Sequence, residues 1–148
     1  MRRARPLRIV IAGGPRTGKT TLAASLGLPV FHTDDLIPLG WVAAGAAAAH
    51  WIEQPGPWVI EGVTAPRALR RWLKRHPDGA PCDLIAFLAR PAIPRTRGQE
   101  AMAKGCAKIF AEIAPVLAAR GVRRVGAAAL RARRSSSSSS SSKSAGQY

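Results

Sequence analysis

Gly13-Gly14-Pro15-Arg16-Thr17-Gly18-Lys19-Thr20 fits the pattern G-x-x-x-x-G-K-[ST] at every fixed position. Just before it, Leu7 to Ala12 is a short apolar run that reads as a buried strand. Just after it, Gly18 to Leu26 places Leu22 and Leu26 on one face of a short helix that Gly27 ends. Strand, glycine loop and helix in that order give the pattern a phosphate-binding meaning. Gly13 and Gly18 let the backbone turn, so the amides of Gly14, Pro15 and its neighbours Arg16 and Thr17 frame a cradle in which N–H groups point inward. Proline supplies no N–H, so the donors come from the residues around it. The helix N-terminus adds partial positive charge. Lys19 can reach β- and γ-phosphates, the Thr20 hydroxyl can ligate Mg²⁺, and Thr21 can offer a hydroxyl to an α-phosphate.

Outward from the loop, apolar runs and helical patterns alternate. Val30 to Thr33 reads as a second strand, and Val42 to Glu53 as an alanine-rich helix broken by Gln54-Pro55-Gly56-Pro57. Trp58 to Ile60 reads as a third strand, ending in Glu61-Gly62. Thr64 can cap the next helix, with Pro66 in its first turn. Leu69, Trp72 and Leu73 form the apolar face of that helix, and Arg67, Arg70, Arg71, Lys74 and Arg75 its charged side. Leu84 to Leu88 is a fourth strand, Gln99 to Ala119 a long helix with a kink expected at Pro115, and Val122 to Val125 a weak fifth strand. This order predicts an α/β domain with a parallel sheet covered by helices on both faces.

The chain has 148 residues, 47% hydrophobic and 21% charged, the composition of one globular domain. Three parts are expected: a basic N-terminal extension over residues 1–6, the domain over 7–126, and a disordered Arg/Ser-rich tail over 127–148. The run Trp41 to Ile52 is too short to span a bilayer, so no membrane association is expected. Two cysteines, Cys82 and Cys106, make neither a disulfide framework nor a metal cluster, and a reducing, cytoplasmic setting follows as the expectation. The net charge is +15. A field of that sign attracts polyanions such as nucleotides or nucleic acid, and an arginine-rich composition bias accounts for it equally well.

Several polar residues fall at expected strand ends, where ligands bind in open α/β sheets. Asp34 follows the second strand and can orient Mg²⁺ or take a proton from an acceptor hydroxyl. Asp35 beside it reads either as an acceptor contact or as a helix N-cap. Glu61, ending an apolar strand, needs a partner, and hydrated Mg²⁺ is a natural one. Arg67 reads as a grip on acceptor phosphate or as a solvated helix residue. Arg95 and Arg97 sit in a Pro- and Gly-bounded loop, which can close over a γ-phosphate or stay exposed. His32, His50 and His76 lack metal-ligand spacing, and the four tryptophans read mostly as core.

Residues 8 to 125 resemble the P-loop kinase group that includes adenylate, nucleoside and shikimate kinases. Phe31-His32-Thr33-Asp34-Asp35 resembles the strand-two end of shikimate-kinase-like proteins, where aspartates serve Mg²⁺ or the acceptor hydroxyl. Trp58 to Arg67 resembles the adenylate-kinase sequence of apolar strand, acid, glycine and then Pro-Arg. There the acid serves Mg²⁺ through water and the arginine contacts acceptor phosphate. Arg90 to Arg97 resembles a shortened lid. The chain departs from the family in having Glu61 in place of Asp, two extra residues before Pro66-Arg67, and a short, alanine-rich stretch between Asp35 and Trp58.

The resemblance implies a three-layer P-loop NTPase fold with a five-stranded sheet in the order 2-3-1-4-5, a short lid and a minimal acceptor insert. It further implies ATP and Mg²⁺ as cofactors, with phosphoryl transfer to a small nucleoside-like, nucleotide-like or alcohol acceptor. Two alternatives stand beside it. One is a nucleotide-hydrolysing switch, for which no water-positioning residue is evident. The other is a nucleic-acid-binding protein or polynucleotide-end kinase, suggested by the charge.

Overall fold

The computed structural model describes residues 7–133. Five strands make one parallel sheet: β1 (Arg8–Gly13), β2 (Val30–His32), β3 (Trp58–Gly62), β4 (Leu84–Leu88) and β5 (Arg123–Arg124). Their spatial order is β2-β3-β1-β4-β5. The crossovers carry α1 (Lys19–Ser25), α2 (Trp41–Ile52), α3 (Ala65–Arg75) and α4 (Arg97–Ala119). A 3-10 helix, Thr33–Leu39, joins β2 to α2.

Side chains of β1 alternate between two cores. Ile9 and Ile11 pack with Val59, Leu84, Ala86 and Leu22 on one side of the sheet. Val10 and Ala12 pack with Ile60, Ile85, Leu69 and Phe110 on the other. Both faces of the central strands are therefore dry, which is why they read as continuous apolar runs rather than alternating ones. The register sets the functional edge. Ala12 pairs with Gly62, Gly13 with Leu88, and His32 with Glu61, so the strands end level with one another.

Three local expectations are corrected. Residues 127–133 are helical and Leu130 is fully buried against the core containing Leu22, so the ordered body runs past Gly126. The charge and serine content beyond Ala127 hid that single apolar anchor; residues 134–148 lie outside those described, as do residues 1–6. Thr64 stands at the N-cap of α3, but its backbone is helical (φ −88, ψ −1) and its side chain makes no cap bond. A cap needs extended backbone to turn its oxygen back on the helix. Helix α4 starts two residues earlier than expected. Its N-cap is Thr96, whose hydroxyl accepts from the Gln99 amide while the Gln99 side chain accepts from the Thr96 amide. That reciprocal pair is the T-x-x-Q capping box. As expected, α4 continues through Pro115 to Ala119.

Candidate active site

The loop between β1 and α1 closes on itself. Arg16 has φ 62, and Gly18 has φ 87 at the N-cap of α1. Those left-handed values curl the chain around a small concavity, and the motif's glycine relieves the second at no steric cost. The Thr17 hydroxyl donates to the Gly14 carbonyl at 2.9 Å. Gly14 is tight for a different reason: an added Cβ would stand 2.5 Å from the Ala103 Cβ on α4.

Lys19 is buried rather than solvent-facing. Its Nζ donates to the Gly14 carbonyl at 2.7 Å and lies 3.4 Å from the Thr17 hydroxyl. Burial pushes its pKa below the ordinary 10.5, while the Asp34 and Glu61 carboxylates pull it back up. The ammonium is thus held across the loop mouth, between two anionic neighbours and the carbonyl that anchors it.

Glu61 is the unusual carboxylate. It is 1% exposed at the end of β3. The Thr20 hydroxyl donates to its Oε2 at 3.2 Å. The His32 Nδ1–H donates to the same oxygen at 2.6 Å. The other oxygen, Oε1, is buried and has no hydrogen-bond partner within the protein. A buried carboxylate oxygen without a partner is costly, so this one is poised for a donor or a cation.

His32 lacks metal-ligand spacing, so the sequence gives it no more than a structural or solvated role. The signal that would have found it is the strand pairing: β2 lies beside β3, and their last residues come level. Gly62 explains how close the two strand ends can come. With φ 145, it accommodates the Thr33 Oγ1 only 1.7 Å from where a Cβ would lie, with the Asp34 Oδ1 at 3.2 Å.

Asp34 and Asp35 are both exposed in the first turn of the 3-10 helix, whose N-cap is His32. Neither is an N-cap, because β2 ends one residue sooner than expected. Asp34 joins the crevice, near Gly62 and close enough to raise the Lys19 pKa. Asp35 makes no side-chain contact among the described hydrogen bonds and ion pairs.

No protein-family model matches the chain, and no curated protein matches it. Among solved structures, shikimate kinase from Acinetobacter baumannii in complex with shikimate is similar over 82% of this chain and 83% of that one, at 13% identity and a TM-score of 0.46. The parallel sheet, flanked by helices, has the strand order β2-β3-β1-β4-β5 that the sequence resemblance implied.

The two loop arginines part company. Arg95 folds onto the phosphate loop: its Nε donates to the Pro15 carbonyl at 2.7 Å, and Glu100 lies 3.8 Å from its Nη1. A second tie, from the Ala92 amide to the Arg16 carbonyl at 2.6 Å, lays the whole segment along the loop. Arg97 instead begins α4 as an exposed residue away from these contacts. Arg67 is exposed near the start of α3, its guanidinium 5.4 Å from the ring centre of Trp41. Trp41 is itself 50% exposed, so it is not a core residue. It opens α2, with Arg67 of α3 over one side of its ring. Trp58 and Trp72 are buried, and Trp51 stacks on Phe31 with ring centres 5.0 Å apart.

Cys106 lies against Gly13 from α4. Burial pushes its thiol pKa up, and it pushes Cys82 up to about 12. Both thiols are free and buried. They are therefore poor nucleophiles and serve as small apolar fillers.

Proposed function

We propose that the chain binds ATP in the loop from Gly13 to Thr20 and transfers its γ-phosphoryl group to a hydroxyl acceptor of the nucleoside, nucleotide or small-alcohol kind. The observation that carries this reading is the convergence of Lys19, Thr20 and Glu61 at one sheet edge. The Thr20–Glu61 contact at 3.2 Å and the unpartnered Glu61 Oε1 are its details. Gly14, Pro15, Arg16 and Thr17 frame the phosphates, and Thr21 faces outward beside them. Lys19 carries the positive charge that meets the β- and γ-phosphates.

The donor set suits Mg²⁺. The described residues hold no cluster of three His, Cys, Asp or Glu, but Mg²⁺ keeps most of its waters and needs few protein oxygens. Thr20, Glu61 and Asp34 would hold it, directly or through water, and the ion would neutralise charge on the transferring group. Asp34, exposed at the crevice, is the residue to accept the acceptor's proton. Arg95, anchored on Pro15, is the residue to offset charge from the lid side. Arg97 and Asp35 are exposed and make no contact with the loop among the described hydrogen bonds and ion pairs, and Arg67 reaches toward Trp41.

A labelled-ATP transfer screen tests the reading. Nucleosides, nucleotides, cyclic alcohols and oligonucleotide ends are offered in turn with Mg²⁺. Label passing to one acceptor class, and none with Lys19→Ala, is the expected result. Release of free phosphate at the same rate with and without every acceptor would replace the kinase reading with a hydrolase.

A further inference from the structure

Trp41 and the charged side of α3 form a second feature that ATP binding does not use. Arg67, Arg71, Lys74 and Arg75 follow one another at helical spacing, so they share one side of α3. With Arg70 and Trp41 they line an open groove of about 370 Å³ between α2 and α3. Arg70 is partly satisfied by Glu112 at 3.4 Å. Among the described residues, the other four cations have no carboxylate within ion-pair distance. Four like charges on one groove repel one another, and an extended anion relieves that repulsion.

The groove has a direction. Helix α3 begins just after the functional end of β3, so Arg67 lies at the crevice end. Its charge is felt at Cys106, beside Gly13. Arg75 lies roughly 12 Å farther along the helix axis. That length spans three to four phosphate steps of a stacked strand rising by about 3.4 Å each. At the crevice end stands the one half-exposed tryptophan, with Val42 beside it 78% exposed. A row of unpaired cations ending in an exposed aromatic ring is the composition of a single-strand binding surface. The cations follow the backbone and the ring takes a base by stacking.

We propose that this groove binds a single-stranded nucleic acid, with phosphates along Arg67, Arg71, Lys74 and Arg75 and a base at Trp41. Where the phosphotransfer reading above holds, the acceptor is the terminal hydroxyl of that strand. Its oxygen bonds to the γ-phosphorus, the bond from that phosphorus to the β–γ bridging oxygen breaks, ADP leaves, and the hydroxyl proton passes to Asp34.

The full chain is titrated against a fluorescein-labelled twelve-nucleotide oligothymidylate by anisotropy, over a series of salt concentrations. Loss of Arg71, Lys74 and Arg75 together as glutamines should lower the salt slope by about 2. Trp41→Ala should weaken binding about ten-fold. Lys104→Gln with Lys108→Gln, on the exposed side of α4, should leave affinity within about two-fold. Equal losses in the groove and α4 variants would overturn the proposal, since the attraction would then be net charge alone. So would inorganic tripolyphosphate displacing the oligonucleotide at equal concentration, since the groove would then take compact phosphate rather than a strand. Calorimetry with Mg·ATP runs alongside. Absent ATP binding with intact, groove-dependent strand binding would remove the phosphotransfer reading and leave the groove.

Discussion

The phosphate loop and the α2–α3 groove are both rich in cations, yet they treat charge in opposite ways. In the loop, Lys19 is buried, bonded to Gly14 and flanked by two carboxylates. Along the groove, Arg67, Lys74 and Arg75 are exposed and Arg71 is half-buried, and none of the four has an ion-pair partner among the described residues. The first arrangement fixes one charge at one point, which is what positioning a reacting phosphate demands. The second spreads charge over a length and fixes nothing, which suits a long and variable anion. Burial thus separates a site built for geometry from a surface built for attraction.

Neutral amides at the crevice test the geometric half most severely. Asp34→Asn and Glu61→Gln should each slow phosphoryl transfer by about a hundred-fold or more, while Mg·ATP affinity falls far less. Steady-state rates beside calorimetric affinities decide it. Full activity in both variants would mean the carboxylates are only scenery around Lys19. Next comes the lysine. Lys19→Ala should weaken Mg·ATP binding by roughly a hundred-fold, the effect of one charge-assisted hydrogen-bond donor.

Stability should move differently. Burial lowers the Lys19 pKa, so the unfolded chain holds that proton more tightly than the folded one. The charged form therefore opposes folding at neutral pH, and this opposition fades as pH rises from the lowered pKa toward 10.5. Lys19→Met, which keeps the stem, should not lower the melting temperature at pH 7, and any advantage it has should shrink as the pH is raised. A melting temperature several degrees lower at pH 7 would show that the lysine supports the fold rather than burdening it.

The two regions also differ in how far the sequence discloses them. The loop is local: strand, glycines, lysine and helix are contiguous, so residues 7–26 predict both the turn and its chemistry. The strand order needed the family resemblance, because alternation fixes a parallel sheet but not which strands adjoin. His32 escaped notice because its partner Glu61 is 29 positions away, and only the β2–β3 register brings them level. Trp41 fits a core position by residue type yet is half exposed, because a tryptophan's burial is decided by what packs on it, which composition does not show. The capping box at Thr96 is local in sequence, yet Arg97 and Gly98 between its two members carry the composition of a loop.

Gly62 lets the end of β3 lie against Thr33 of the 3-10 helix, and a side chain there should be costly. Gly62→Ala brings a methyl onto the Thr33 hydroxyl at a left-handed φ of 145. Backbone strain and the forced shift of Thr33 together should lower stability by about 2–3 kcal/mol. They should also move Asp34 relative to Lys19. Denaturant melts give the first effect and turnover at saturating ATP gives the second. Unchanged turnover would separate Asp34 from the loop and confine the geometric site to Glu61 and Thr20.

The smallest expected effect lies farthest from either region. Leu130 is fully buried against Leu22 and its neighbours, on the sheet face that carries α1. A leucine side chain in a core is worth about 2–5 kcal/mol when cut to alanine, and a segment near the chain end relaxes enough to put this one near 2 kcal/mol. Two truncations turn that into a contrast. Removing residues 135–148 takes away the serine run and leaves Leu130, so the melting temperature should stay within about a degree. Removing residues 127–148 takes Leu130 as well, so it should fall by about 6–10 °C, the shift expected for roughly 2 kcal/mol at about 3–5 °C per kcal/mol in a domain of this size. Since α1 carries Lys19 and Thr20 on that same face, the longer truncation should weaken Mg·ATP binding slightly while leaving strand binding in the α2–α3 groove unchanged. Equal melting temperatures for the two truncations would show that Leu130 adds nothing to the support of α1, and the body would then end functionally at Gly126.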